Sequence, residues 1–245
     1  MYTKNNLGLV CLLIPFVLIS LKELSYGQVV NDNDSAAVEN TLSVFRKSLK
    51  SQLWLFNGVE DPGYPAGLVG SPYYLTDKLS KGSVIYDGVT YHNVPLLYDM
   101  LKQAVVIEYF NTPFRIRLLD DRLSSFSFSG HHFVKVGNNA GLVNLEEGIF
   151  EICYSGSLRL LARRYALSRN VISGNKMATT IESHVKFYII RDRTAYSVNS
   201  AKTALKIVGD NGEIKEYLKK NKFKYKKDKE RVLTEIVSYR DNISR

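Results

Sequence analysis

Cysteine is nearly missing from this chain: Cys11 and Cys153 are the only two in 245 residues. If the first is lost with a leader, as argued below, no internal disulfide can form. Exported domains often lean on disulfides, so the core must hold this one. Metal-binding spacings are also missing. The four histidines, His92, His131, His132 and His184, form no His-x-His or His-x3-His pair, and there is no Cys-x2-Cys. His131 and His132 are adjacent, and in a strand they face opposite ways, so one ion cannot take both without a bulge. No metal site and no cofactor is expected. There is no Gly-x-Ser-x-Gly elbow, no phosphate-binding loop and no dinucleotide fingerprint.

Long apolar runs are equally scarce, with a single one from Leu7 to Leu21. It is shorter than the ~20 residues a membrane-spanning helix needs, and Pro15 interrupts it. Lys4 precedes it, a polar stretch Lys22–Tyr26 follows, and Ser25 and Gly27 are small. That order is the signature of a cleavable secretory signal. Residues 1–27 are expected to be a signal peptide, cut after Gly27. Cys11 lies inside the apolar run, which argues against a lipid anchor. The expectation is an exported protein, periplasmic or at the cell surface, with no transmembrane segment in the mature chain. Loss of Lys4 and Lys22 against Glu23 lowers the formal net charge by one from +9.

What is present reads as β first and α last. Residues 28–51 form a polar leader and a short helix carrying Val38, Leu42, Phe45 and Leu49 at helical spacing. Residues 52–199 alternate in short runs separated by turn residues. Asp87-Gly88 marks a type I′ hairpin. Phe126 and Phe128 alternate with serines, and a loop is expected from Arg169 to Lys176. Residues 200–245 change to helical spacing. Ser200 is an N-cap for a helix stopping at Gly209. Asp210 has capping-box spacing to Glu213. Asp228 precedes a stripe of Val232, Leu233, Ile236 and Val237. The fold class is therefore α+β: an antiparallel β-meander of about nine to ten strands, curved or barrel-like, with C-terminal helices packed on it. A transmembrane barrel is disfavoured, because the chain ends on a charged helix and not on an aromatic-terminated strand.

Few residues invite chemistry. Asp99, after the apolar run Leu96-Leu97-Tyr98, is the one candidate catalytic acid, although turn capping explains it more simply. Asp120-Asp121 and Glu146-Glu147 read as turn and loop, and Cys153 as a structural thiol in an apolar strand. Tyr64, Tyr73, Tyr74, Tyr86, Tyr91 and Tyr98 could line a sugar or peptide groove, or simply follow strand propensity. The compositional outlier is basic. Lys215, Lys219, Lys220, Lys222, Lys224, Lys226, Lys227, Lys229 and Arg231 stand against Glu216, Asp228 and Glu230, interleaved with Tyr217, Phe223 and Tyr225. A polyanion-binding surface needs such residues, and so does a solvated helix face whose aromatics pack inward. Lysine in place of arginine favours loose electrostatics over bidentate phosphate recognition.

Three runs, Gly70-Ser-Pro-Tyr-Tyr74, Gly82 to Tyr91 and Val94-Pro-Leu-Leu-Tyr-Asp99, together with Phe126, Phe128, Phe133 and the tail Leu205–Lys222, resemble secreted proteins of Bacteroidota. The resemblance implies a lineage and a compartment and assigns no activity. The functional expectation is a non-catalytic binding or scaffold module of the cell envelope. The alternatives are polyanion or membrane-surface binding through the lysine-rich segment, or a polymer hydrolase without a recognisable motif. An anionic surface or an envelope protein is the expected partner, and export argues against nucleic acid.

Overall fold

Alternating apolar and polar side chains from Ser80 onward build a single antiparallel sheet, and the computed structural model shows how it is bent. It describes residues 53–110, 112–137, 140–173, 176–210 and 212–243, together with Thr41. The chain divides into two units, Met1–Phe45 and Arg46–Arg245, and the elements below belong to the second. The expected signal peptide, leader and short helix lie outside the described residues, apart from the helical Thr41.

Among the described residues there are eleven strands: β1 (Val59–Glu60), β2 (Ser80–Tyr86), β3 (Val89–Asp99), β4 (Ala104–Glu108), β5 (Arg115–Arg117), β6 (Leu123–Phe128), β7 (His131–Val136), β8 (Gly148–Ser155), β9 (Arg159–Ser173), β10 (Lys176–Arg191) and β11 (Thr194–Val198). Their order is β1-β5-β4-β3-β2-β6-β7-β8-β9-β10-β11, so the meander runs outward from β2 in both directions. Asp87 and Gly88 take φ of 50° and 74°, as a type I′ turn requires. They join Tyr86 to its partner Val89.

Five strand steps separate β3 from β9, which would be ~24 Å in a flat sheet. Yet the Tyr98 hydroxyl on β3 donates to the Arg164 carbonyl on β9 at 2.9 Å. The Ala166 amide donates to the Met100 carbonyl at 3.0 Å. The sheet is therefore curled nearly into a barrel without closing. Its concave face is lined by Tyr86, Tyr98, Phe126, Phe128 and Phe133, packed with Ile107, Ile149 and Ile181. Phe126 and Phe133 stack with ring centroids 4.7 Å apart.

A second core covers the other end of β9 and β10. Helices α1 (Ala201–Val208), α2 (Glu213–Lys220) and α3 (Lys229–Ile243) bury Val208, Ile214, Leu218, Leu233 and Ile236 against Leu160, Ala162, Phe187 and Ile189. The caps expected at Ser200, Gly209 and Asp228 are in place, whereas the N-cap of α2 is Gly212 and not Asp210, which reaches the first turn from two residues upstream. Ser200 accepts from the Thr203 amide, and Gly209 ends α1 at φ 72°. Asp210 accepts from the Ile214 amide at 2.9 Å, and Asp228 from the Arg231 amide at 3.0 Å. The expected loop at Arg169–Lys176 is instead mostly strand. β9 runs to Ser173 and β10 starts at Lys176, with Arg169 opposite Thr180 and Val171 opposite Ala178. This ribbon leaves Leu167 and Val171 exposed, so it carries no buried stripe for alternation to reveal.

Candidate functional site

Three groups of polar residues stand out, and they are built differently. The first surrounds Asp99, which has no solvent exposure. It accepts from the amides of Leu101 and Lys102 at 2.9 and 2.8 Å, the expected turn cap. The Tyr64 hydroxyl also donates to its two oxygens, at 2.9 and 2.7 Å. The Lys102 ammonium lies 3.9 Å from Asp99 and pairs with Asp61. It also sits 4.5 Å from the centre of the Tyr64 ring. Burial, then the bond and charge of Asp99, push the Tyr64 phenol well above its ordinary range, so it stays a donor. Asp99 thus holds a turn and a tyrosine in place, with its oxygens committed.

The second group joins the two cores. Arg164 projects from β9 between them and donates to Glu151 on β8 and, at 2.7 Å, to Glu230 on α3. Its carbon lies 4.9 Å from the centre of the Tyr74 ring. His131 shares Glu151, and the Tyr74 hydroxyl lies 3.2 Å from His131 Nδ1. Burial alone would lower the Arg164 guanidinium. Its bonds to the two glutamates outweigh that and hold it above its ordinary value. Cys153 donates to Glu230 at 3.7 Å, and burial, then the Glu230 charge, push its thiol far up. A thiol so disfavoured as thiolate is a poor nucleophile, in keeping with the structural reading. Glu151, Cys153 and Glu230 bring ligand-type atoms within 4.8 Å of one another. Arg164 already bonds both carboxylates, so an ion there would have to compete with it. His132, on the opposite face of β7, is exposed.

The third group is the lysine-rich segment. All eight lysines, Lys215, Lys219, Lys220, Lys222, Lys224, Lys226, Lys227 and Lys229, are exposed. Among the described residues none of them forms an ion pair, whereas Lys102 and Lys135 do. Tyr217, Phe223 and Tyr225 pack against the helical core, and Arg231 lies over Phe223 at 5.2 Å. The aromatics are therefore half-buried in the packing and offer only part of their faces. What remains is a cationic face without a full stacking platform.

The six tyrosines separate. Tyr74, Tyr86, Tyr91 and Tyr98 belong to the concave core, whereas Tyr64 and Tyr73 line a surface cleft of about 680 Å³. Asp61, Lys102, Glu151, Arg164 and Glu230 carry no local motif. They lie far apart in sequence and meet only because the sheet curls.

No family model, no curated protein and no solved structure matches the chain. Among the described residues no helix is long and apolar enough to cross a membrane.

Proposed function

We propose that this protein is an exported, non-catalytic binding or scaffold module of the cell envelope that settles on a polyanionic surface through its lysine-rich segment. One observation carries the reading: eight exposed lysines from Lys215 to Lys229 without an ion pair among the described residues. Unpaired lysines near an anionic surface contribute about 1 kcal/mol each. Their stems are anchored by a segment whose apolar residues, Ile214, Leu218, Phe223 and Tyr225, pack on the sheet. The cationic face is thus a fixed part of the folded unit. The hydrolase alternative loses its acid, because Asp99 is buried and committed to Tyr64 and Lys102.

The test is co-sedimentation with phosphatidylglycerol vesicles against phosphatidylcholine vesicles as salt is raised. Binding to the anionic vesicles alone, lost at high salt and in the Lys219, Lys220, Lys224 and Lys227→Glu variant, is expected. Unchanged binding by that variant overturns the reading. Export is tested separately, by N-terminal sequencing of the protein recovered from a bacterial host. A chain beginning at Gln28 in the exported fraction supports it, and an uncut cytoplasmic chain removes it.

A further inference from the structure

The segment between β1 and β2, residues 61–79, contains no regular element, yet it is tied down on two sides. Val69 donates to the Thr179 carbonyl on β10 at 3.0 Å and accepts from the Ile181 amide at 2.7 Å. Pro72 accepts from Met100, and Tyr74 donates to Tyr98, at 2.8 and 2.9 Å. Gly70 makes the approach to β10 possible. Its φ is 95°, and a Cβ there would stand 2.5 Å from the Ile181 carbonyl oxygen. Loops of this length without secondary structure are uncommon and usually functional. Leu75 adds to the case: a branched residue held at φ 62° and left 60% exposed, the kind of local strain that collects at binding sites.

This pinned loop and β5 enclose the cleft of about 680 Å³, a size within the ~300–1,000 Å³ of small-molecule sites. Two aromatic rings wall it. Tyr64 and Tyr73 meet edge to face, 5.9 Å between centroids. Tyr64 is locked from behind by Asp99 and Lys102. Burial, then the charges of Asp99 and Asp61, raise the Tyr73 phenol, with Arg115 opposing, so it stays protonated. Arg115 and Asp77 add one charge of each sign to the lining. Arg115 makes no ion pair among the described residues.

We infer that this cleft binds a short neutral glycan, with a sugar ring laid on the Tyr73 and Tyr64 wall and hydroxyls shared between Arg115 and Asp77. Tyrosines offer amphipathic contact area at little entropic cost. Arg115, hydrogen-bonded to the Tyr73 side chain, and the exposed Asp77 offer a donor and an acceptor to a polyhydroxy ligand, which supplies both partners. The opposing charges give no net pull on an anion. A peptide would seek a free strand edge. None lines the cleft, because β5 is paired on both sides, to β1 and β4.

The experiment titrates the purified protein with cellotriose, maltotriose and chitotriose, with trigalacturonate as the acidic arm and a pool of tryptic peptides as the peptide arm. Tyrosine fluorescence and NMR line shifts are the readouts. Saturable binding of at least one neutral trisaccharide is expected, weakened about tenfold or more in Tyr73→Ala and in Arg115→Gln. Tyr73→Phe keeps the ring and controls for folding: it should retain most of the affinity and the parent circular dichroism. No binding of the neutral trisaccharides at millimolar concentration overturns the inference. So does a preference for trigalacturonate or for peptides, or undiminished binding by Tyr73→Ala. The lysine-rich segment is not part of this cleft, so vesicle binding and saccharide binding stand or fall separately.

Discussion

The loop cleft and the lysine-rich segment are both exposed and polar, but they follow opposite rules. At the cleft, Tyr64 is held by Asp99, Asp99 by two amides, and the loop by backbone bonds to two separate strands. In the segment the lysines have no ion-pair partner among the described residues and their side chains are exposed, while the apolar residues between them are packed. Fixed groups give shape-dependent recognition and free charges give range and salt dependence. If both proposals hold, one surface would concentrate the chain on an anionic layer and the other would select a ligand there.

Salt breaks the comparison most sharply. Raising sodium chloride from about 50 to about 200 mM should weaken binding to anionic vesicles by roughly 100-fold or more, since several counterion-releasing contacts act together. Saccharide binding at the cleft should change less than about twofold over the same range, because it creates no net charge contact. Vesicle sedimentation and fluorescence titration on one protein sample give both curves. Parallel slopes would erase the distinction.

Stability separates the regions next. Asp99→Ala strands the Tyr64 hydroxyl and two turn amides and leaves the Lys102 ammonium with Asp61 alone. Arg164→Ala leaves Glu151, almost fully buried, beside Glu230. Breaking one partner of a buried pair costs about 3–5 kcal/mol, and urea unfolding should register a loss of that order for each. Lys219→Ala and Lys224→Ala should shift stability by less than about 0.5 kcal/mol.

A smaller effect appears in alkali. The Cys153 thiol and the Tyr64, Tyr74 and Tyr98 phenols are all raised in the fold, burial being the leading cause. The unfolded chain therefore releases these protons first. Their contribution is intact below the unfolded value, ~8.5 for the thiol, and falls by about 1.4 kcal/mol per pH unit above it. Urea midpoints should decline from about pH 8.5, and Cys153→Ala should delay the decline toward the tyrosine range near pH 10. An identical pH profile for parent and variant would show that Cys153 plays no part.

Local rules read the helical end and the hairpins well and the network partners poorly. Ser200, Gly209 and Asp228 cap where their residue types say they should, and the stripe Val232, Leu233, Ile236 and Val237 is buried throughout. Asp87-Gly88 turns as expected, and Asp99 caps its turn. These signals work because cause and effect lie within a few residues. Tyr64 to Asp99, Glu151 to Arg164 and Arg164 to Glu230 depend on the curl of the sheet, and no sequence window contains both ends of such a contact. The distal end of β9 and β10, around Arg169–Lys176, escapes the sequence for a related reason: with apolar residues such as Leu167 and Val171 in solvent, its pairing is set by backbone bonds and leaves no burial pattern. The tyrosines were half legible. Their abundance was visible, but which of them face solvent depends on where the loop is pinned.

The mildest prediction separates charge from architecture inside the lysine-rich segment itself. Asp228 stands among the lysines, and its carboxylate accepts from the Arg231 amide at 3.0 Å to start α3. It therefore has two roles of opposite consequence: it caps a helix, and it offsets one positive charge. Asparagine caps as well as aspartate, so Asp228→Asn keeps the acceptor and deletes only the charge. The melting temperature should stay within about 2 °C of the parent, while binding to anionic vesicles tightens by about fivefold, the worth of ~1 kcal/mol per unit charge near the surface. Asp228→Ala loses the cap as well and should cost about 1 kcal/mol of stability while tightening binding just as much. If both variants bind vesicles like the parent, the lysines act as a solvated helix face and the cationic surface has no electrostatic role.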